Sequence, residues 1–336
     1  MGELNLDSVE RELPLMYQVA TKVANFHGYQ LKGVFGKGGL SYVFEASSGN
    51  GPVAIKILTK DSTDRGFHIG QEVTTQREVY SRITPNGNGH IPVAQVLGHN
   101  AHCTPGLPRE YAVFSAWPNG SCLAGKTLGY SGIQTVVHDV GSVFGVVHGL
   151  GKLFNDAKRR NLYLTSSGAA VGDFGSVMEK GKIPPFLTLD YASPEQLADL
   201  PCFEKSDVFM LAQVLYRLAT GLEVVNFSLQ NGLNYGELKQ TVLNQTETTF
   251  STPNSVRDIR NHLDLYLPTS AADVVMSALE MSPDNRPTLG ELIAGFEVSP
   301  SVAEEKPVSS PTSSGRSQLL DGHTFPAGWE MPSLNK

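Results

Sequence analysis

The chain contains little cysteine and no long run of apolar residues. Only three cysteines occur among its 336 residues. Their number is odd and none forms a CxxC spacing, so the sequence favours neither a disulfide framework nor a zinc site and is typical of a reducing compartment. No window approaches the roughly 20 apolar residues of a membrane-spanning helix, so we expect no membrane insertion. We therefore expect a location in the cytoplasm, or in the cytoplasm of another cell after delivery into it.

An excess of positive charge is also missing. The formal net charge is -7 at pH 7. A chain with this balance presents no broad basic field to DNA or RNA, so we expect no nucleic-acid partner. Hydrophobic residues make up 40% of the chain and charged residues 18%, which indicates a packed core over most of its length. The length suits one large two-lobed domain or two ordinary domains.

Helical periodicity at the start of the chain gives way to strand periodicity. Apolar residues recur at intervals of three and four from residue 3 to residue 27, which predicts a helical extension over 1–27 that packs on the main domain. From Tyr29 the period becomes two, and this change predicts three consecutive antiparallel strands. The elements predicted next are a helix over 70–83 and two strands over 92–98 and 110–116.

The rest of the chain is predicted to be mainly helical. We predict an α+β, bilobal architecture with a small antiparallel-sheet lobe over 28–117 and a larger helical lobe over 118–298. Serine and proline supply 13 of the 38 residues from 299 to 336, so this tail is expected to be disordered. The predicted helices of the larger lobe are 131–151, 194–199, 206–220, 235–244, 271–281 and 288–295.

A glycine-rich turn joins the first two predicted strands, with the sequence Gly36-Lys37-Gly38-Gly39-Leu40-Ser41-Tyr42-Val43. Backbone amides of such a turn can approach phosphates, although the same composition suits an ordinary hairpin. Lys56 lies in the otherwise apolar run that begins at Val53, where a lysine is expected to meet an anion. Its partner on the next helix is either Glu72 or Glu78, and we favour Glu78. Either glutamate could instead lie on a solvated helix face.

The most specific pattern is the loop Asp156-Ala157-Lys158-Arg159-Arg160-Asn161, followed by Asp173-Phe174-Gly175. It places a carboxylate, a lysine and a carboxamide on one short loop, with a second carboxylate soon after. These groups suit the transfer of a phosphoryl group with magnesium. The basic run within the loop is interpreted as local chemistry of this site.

Together these motifs resemble the eukaryotic-like serine/threonine protein kinase family over roughly residues 28 to 297. The glycine-rich turn, the strand lysine, the helix glutamate and the two aspartate motifs follow the order of that family. Ser193-Pro194-Glu195 then stands in place of Ala-Pro-Glu. Arg286 lies in a late Arg-Pro pair, and the resemblance implies an ion pair between Arg286 and Glu195.

The resemblance implies ATP as the phosphoryl donor. Lys56, held by Glu78, would bridge the α- and β-phosphates, and the amides of the glycine-rich turn would cover them. Phe114 and Ala116 would lie where the adenine binds. The nucleotide-binding residues implied in this way are Gly36, Lys37, Gly38, Gly39, Ser41, Val43, Ala54, Lys56, Phe114 and Ala116.

The resemblance also assigns roles to the second half of the site. Asp156 would orient the substrate hydroxyl, Lys158 would meet the γ-phosphate, and Thr188 would lie beside Asp156. Asn161 and Asp173 would hold Mg²⁺. The implied partners are protein substrates with serine or threonine acceptors, and autophosphorylation is possible. The substrate protein and the oligomeric state do not follow from the sequence.

Two residues before the catalytic aspartate depart from the family pattern. Phe154 and Asn155 replace the usual His-Arg pair. Phe154 can fill the packing role of the histidine, whereas the missing arginine is the usual anchor for a phosphate added to the activation segment. We therefore predict activity without phosphorylation of this segment, or control by a partner. A nucleotide-binding pseudokinase that acts as a scaffold is the main alternative, and a small-molecule phosphotransferase is the third.

Overall fold

The computed structural model describes residues 6–38, 41–59, 62–63, 68–100, 107–108, 110–116, 120–225 and 233–297. Gly39 of the glycine-rich turn and the predicted tail over 299–336 lie outside the described residues. Contacts divide the chain into two units. Of the described residues, the first unit holds those up to Val73 and those from Gln95 to 116, and the second holds Thr74–Ala94 and those from 120 onward.

The first unit is built on an antiparallel sheet of five strands. The strand order across the sheet is β1-β2-β3-β5-β4. The first three strands are neighbours in both sequence and space, and β5 lies between β3 and β4. This architecture agrees with the strands predicted from the period of two. The strands are β1 (Gln30–Lys37), β2 (Ser41–Ser48), β3 (Gly51–Leu58), β4 (Val96–His99) and β5 (Tyr111–Ser115).

Helix α1 (Leu6–Phe26) covers one face of this sheet, as its spacing predicted. Its buried residues recur at helical intervals and pack against alternate residues of the strands. Side chains point alternately to the two faces along a strand. Every second residue therefore faces α1, and the residues between them face the opposite side of the sheet. The buried residues of this cluster are Leu13, Met16, Ala20, Val23, Ala24, Tyr42, Phe44, Ala46, Val53, Ile55, Ile57, Tyr111 and Val113.

The second unit is mainly helical, and α3 and α5 lie in its core. Residues 206–220 of α5 are all buried, and the charged residues among them, Asp207 and Arg217, have polar partners. Short paired strands hold the loops that follow α3. The elements are α2 (Ile69–Arg82), which begins in the first unit, β6 (Ser121–Cys122), α3 (Tyr130–Gly149), β7 (Lys152–Leu153), β8 (Leu162–Leu164), β9 (Ala169–Val171), β10 (Met178–Glu179), α4 (Pro194–Leu197), α5 (Glu204–Thr220), α6 (Tyr235–Ser251), α7 (Pro253–Tyr266), α8 (Thr269–Ala278) and α9 (Leu289–Ala294).

Helix α7 was missed by the sequence analysis. Its buried residues are Ile259 and Leu263. Its apolar residues nevertheless recur at intervals of three and four, at Val256, Ile259, Leu263 and Tyr266, so the helical period is present in the sequence and the prediction overlooked it. Helix α6 also extends to Ser251, beyond its predicted end at 244. None of the described helices is long and apolar enough to cross a membrane.

Candidate functional site

One face of the five-stranded sheet carries Lys56, on the side opposite the face that α1 covers. Val43 and Ala112 are its register partners on the neighbouring strands, and Ala54 lies two residues earlier, opposite Phe114. Cross-strand partners and residues two apart share a face. Small and apolar side chains therefore surround a lysine that is only 8% exposed.

The partner of Lys56 is Glu72. The ammonium of Lys56 donates to both carboxylate oxygens, at 2.9 Å to Oε1 and 2.8 Å to Oε2. Both side chains are buried, so each charge would be costly without the other. The pair fixes the lysine on the sheet face.

The prediction of Glu78 as this partner is wrong. Glu78 accepts a hydrogen bond from Arg82 at 3.0 Å, four residues on in the same helix, and lies 3.7 Å from Lys152. Glu78 follows Glu72 by six positions, so its side chain is rotated by about 240° around the helix axis relative to that of Glu72, after one full turn. When Glu72 faces the lysine, Glu78 therefore points elsewhere.

A signal in the sequence favours Glu72. It belongs to the buried stripe of α2, which follows the intervals of a core-facing helix. A glutamate within such a stripe needs a buried cation, whereas Glu78 falls outside the stripe and is partly exposed. The other buried residues of α2 are Ile69, Val73, Thr75, Gln76 and Val79.

The glycine-rich turn closes the first hairpin of the sheet. Gly36 and Lys37 end β1 opposite Val43 and Tyr42, and the amide of Gly38 donates to the carbonyl oxygen of Ser41 at 2.8 Å. The turn is therefore short and tightly linked at its base. Near the start of β3, the carbonyl oxygen of Pro52 accepts a hydrogen bond of 3.0 Å from the amide of Ala116, the residue after β5.

The second unit gathers three side chains around Asp156. Its Oδ2 accepts hydrogen bonds from Lys158 at 2.7 Å and from Asn161 at 2.9 Å. Its Oδ1 accepts a hydrogen bond from the Thr188 hydroxyl at 2.7 Å, and Lys158 also donates to that hydroxyl at 3.1 Å. Asp156 is 9% exposed, so these donors hold a nearly buried carboxylate in one orientation.

The charge of Lys158 is set by this cluster. Burial lowers the pKa of Lys158, but the carboxylates of Asp156 and Asp173 outweigh that effect, so its pKa is raised above the ordinary value. The ammonium group is therefore protonated at neutral pH. Asp173 contributes to this field from the turn that follows β9, where it adopts a left-handed backbone with φ 61°.

A second carboxylate holds the backbone of the Asp156 loop. The Oδ2 atom of Asp207 accepts from the amide of Phe154, and its Oδ1 atom accepts from the amide of Asn155, both at 2.8 Å. His148 also lies 2.8 Å from Asp207. Asp207 is on α5, so the loop is fastened to the central helix.

Phe154 packs where the resemblance led us to expect a packing residue. Its ring stacks on Phe144 at a centroid distance of 4.9 Å and meets the ring of Phe174 edge to face at 5.5 Å. All three rings are at most 1% exposed. This apolar contact links the Asp156 loop to the Asp173-Phe174-Gly175 turn.

The segment from 187 to 197 is attached to the rest of the second unit at several points. Arg217 is 1% exposed, lies over the ring of Tyr191 at 3.8 Å and forms an ion pair with Asp190 at 3.1 Å. Arg159 of the basic run donates to the Tyr191 hydroxyl at 3.3 Å. One residue of the basic run thus supports this segment.

Glu195 and Arg286 form the buried ion pair that the resemblance implied. The two guanidinium nitrogens of Arg286 donate to the two carboxylate oxygens at 2.8 and 2.9 Å. Burial alone would raise the pKa of Glu195, but the hydrogen bonds and charge of Arg286 lower it below the usual value. The pair joins α4 to the turn before α9, across a sequence separation of 91 residues.

The donor atoms beside Asp156 fit a hard divalent cation. The side-chain nitrogen of Asn161 donates to the backbone carbonyl oxygen and to the carboxylate of Asp156, both at 2.9 Å. The side-chain oxygen of Asn161 therefore points away from that contact. Asp173 adds an exposed carboxylate. Oxygen ligands of these two kinds are those that Mg²⁺ prefers. No group of three or more His, Cys, Asp or Glu side chains suited to a metal occurs among the described residues.

Comparison with known proteins agrees with the order of the motifs. The model of the protein kinase domain matches residues 29–295. A probable serine/threonine-protein kinase, PkwA of Thermomonospora curvata, is 28% identical over 278 residues, which cover 79% of this chain and 33% of that protein.

Two plant proteins are similar over shorter stretches. The probable serine/threonine-protein kinase CST of Arabidopsis thaliana is 27% identical over 158 residues, which cover 43% of this chain and 36% of that protein. The serine/threonine-protein kinase Nek3 of Oryza sativa subsp. japonica is 30% identical over 166 residues, which cover 47% of this chain and 25% of that protein. The matched part of this chain thus spans between a quarter and about a third of the length of these relatives.

Proposed function

The chain belongs to the protein kinase family, and we propose that it transfers the γ-phosphate of ATP to serine or threonine hydroxyls of protein substrates. The observation that carries this proposal is the arrangement around Asp156. One nearly buried carboxylate receives Lys158, Asn161 and Thr188 within 2.9 Å. Phosphoryl transfer depends mainly on positioning and electrostatic stabilisation, and this cluster supplies both.

Asp156 is proposed to orient the hydroxyl of the substrate and to receive its proton. Three donors fix the direction of the carboxylate. A hydrogen-bond acceptor in a fixed position suits this role, because the attacking oxygen must be aligned with the phosphorus atom.

Lys158 is proposed to stabilise the transferred phosphoryl group. Its raised pKa keeps the positive charge at neutral pH. Because the ammonium also contacts Thr188 and Asp156, it needs little reorganisation when negative charge develops on the phosphoryl oxygens.

Lys56 is proposed to contact the phosphates of the nucleotide on the face of the sheet opposite α1. Glu72 rather than Glu78 holds it there. The glycine-rich turn, with Lys37 and Ser41, would cover the phosphates. Val43 and Ala54 would contact the adenosine together with Phe114 of β5 and Ala116, which directly follows that strand. The supporting observation is that Val43, Ala54 and Phe114 share the face of Lys56.

Asn161 and Asp173 are proposed to hold Mg²⁺ through their side-chain oxygens. When bound, the ion would neutralise charge on the β- and γ-phosphates. The chain itself contributes the fixed orientation of Asn161, since its amide nitrogen is engaged by Asp156.

The enzyme is proposed to act without phosphorylation of its activation segment. The position where the family carries an arginine is Asn155, a neutral residue that is 4% exposed. Between 175 and 193 the hydroxyl side chains before Ser193 are Ser176, Thr188 and Tyr191. Thr188 is bound to Asp156, and Tyr191 is 4% exposed.

A transfer assay tests the proposal. Purified protein is incubated with ATP labelled at the γ-phosphate, Mg²⁺ and a generic basic protein, and the labelled amino acids are then identified. We expect label on serine or threonine, and loss of transfer when EDTA removes Mg²⁺. Nucleotide binding without transfer would support the scaffold alternative, and transfer to sugars or amines alone would support a small-molecule phosphotransferase.

A further inference from the structure

Asn155 links the Asp156 loop to a distant helix through a neutral side chain. It has a left-handed backbone with φ 66° and is 4% exposed, and its amide is already fixed by Asp207. Its Oδ1 atom accepts a hydrogen bond of 2.6 Å from Nε2 of Gln196. The residue directly before Asp156 is therefore held at both its backbone and its side chain.

Gln196 uses both ends of its amide group. While Nε2 donates to Asn155, Oε1 accepts from the backbone amide of Ser193 at 2.7 Å. Gln196 is fully buried, at 0% exposed, in the first turn of α4. A buried amide whose donor and acceptor are both paired has one favoured orientation.

The two chain segments that meet here also meet at the catalytic carboxylate. Eight residues before Gln196, the hydroxyl of Thr188 donates to Asp156 at 2.7 Å. The stretch from 188 to 196 thus contacts the Asp156 loop at both of its ends. A displacement of Gln196 would shift Thr188 and Asp156 relative to each other.

We propose that the Asn155 and Gln196 side chains form an amide pair that positions Asp156 and Thr188 for transfer, in place of a phosphate held by an arginine. This inference rests on the proposed function and names the device that makes it independent of phosphorylation. The pair positions the loop and does not touch the substrate.

A neutral pair suits this site physically. Both side chains are buried, and an arginine there without a partner would carry a large desolvation cost. Two amides cost little to bury when they bind each other, and they do not titrate in the working range of the enzyme. The link therefore requires neither an ionised group nor a covalent modification.

Removal of each side chain tests the amide pair. The variants are Gln196→Met, which keeps the length of the side chain, Asn155→Gly, which tolerates the positive φ, and the double variant. The matched control is Gln240→Met, which breaks an exposed amide pair with Asn244 at 2.8 Å. Transfer rate at saturating ATP, the KM for ATP and the melting temperature are measured for each protein.

We expect each single variant to lower kcat by about 10- to 100-fold, because a misplacement of about 1 Å has this effect. The KM for ATP should change by less than about threefold, since neither residue is proposed to bind nucleotide. The double variant should be no slower than the slower single variant, because both changes break the same contact. Gln240→Met should retain the wild-type rate.

Three results would overturn the amide pair. The first is a wild-type kcat in Gln196→Met, and the second is an additive loss in the double variant. The third is a loss of kcat that is fully explained by the fraction of unfolded protein in the sample. If Gln196→Met does not fold, Asn155→Gly is judged alone by the same criteria. A wild-type protein that transfers no phosphate would instead refute the proposed function, and the amide pair with it.

Discussion

Lys56 in the first unit and Asp156 in the second are both nearly buried charges, but they are held in different ways. Lys56 is paired with the Glu72 carboxylate, which comes from a separate helix. Asp156 receives two donors from its own loop and a third from Thr188. The lysine therefore depends on where a helix lies, whereas the aspartate depends mainly on the spacing of nearby residues.

The largest expected effect on stability concerns the ion pair that fastens α4 in the second unit. Arg286→Ala should lower the free energy of unfolding by about 3–5 kcal/mol, because it leaves the Glu195 carboxylate buried without its partner. Urea unfolding followed by circular dichroism measures the change. Arg260→Ala is the control, since its ion pairs with Asp264 and Asp273 are partly exposed and should contribute less than about 1 kcal/mol. Equal losses in the two variants would contradict the assignment.

The next largest effect is on the lysine of the first unit. Lys56→Ala and Glu72→Gln should each lower the rate of transfer by about 100-fold, because both changes disturb the cation that meets the phosphates. Glu78→Gln should change the rate by less than about twofold, since its ion pairs are partly exposed. Steady-state rates of the three variants settle the choice. A large loss in Glu78→Gln together with an active Glu72→Gln would restore the original prediction.

A smaller effect concerns pH and the Glu195 carboxylate. The pKa of Glu195 is lowered in the folded protein, so its contribution to stability is present above the unfolded pKa of about 4.3 and is lost as pH falls through the folded pKa. Unfolding free energies of wild type and Glu195→Gln should therefore converge as the pH is lowered from about 6 to about 3. A constant difference across this range would show that ionisation of Glu195 does not stabilise the fold.

The smallest effect expected is that of phosphatase treatment. Protein treated with phosphatase should transfer label at a rate within about twofold of the untreated protein, because a neutral residue replaces the usual phosphate anchor. Mass spectrometry confirms the removal of phosphate from the sample. A large loss of activity after treatment would show that the activation segment depends on phosphorylation.

Most of the Asp156 site was predictable because its members lie within a few residues of one another. The spacing of Asp156, Lys158 and Asn161 specifies their contacts once the loop forms, and the structure brings all three together. The pair of Glu195 with Arg286 was reached only through the resemblance, since 91 residues separate the two.

The contacts that the sequence did not predict are those set by tertiary placement. Which glutamate meets Lys56 depends on the rotation of α2 about its own axis relative to β3. Periodicity predicts this rotation only when the core-facing stripe of the helix is identified first. The contact between Gln196 and Asn155 joins two polar residues with no periodic signal. Helix α7 was missed for a different reason, since its apolar period is present in the sequence and was not recognised.

The central claim is that Asp156 directs the transfer of a phosphoryl group, and a single-turnover assay tests it most directly. Label transfer from γ-labelled ATP to a protein substrate is followed for wild type, Asp156→Asn and the surface control Asp264→Asn. We predict that Asp156→Asn folds normally but transfers about 1,000-fold more slowly, while Asp264→Asn matches the wild type. Transfer by Asp156→Asn at the wild-type rate would contradict the account.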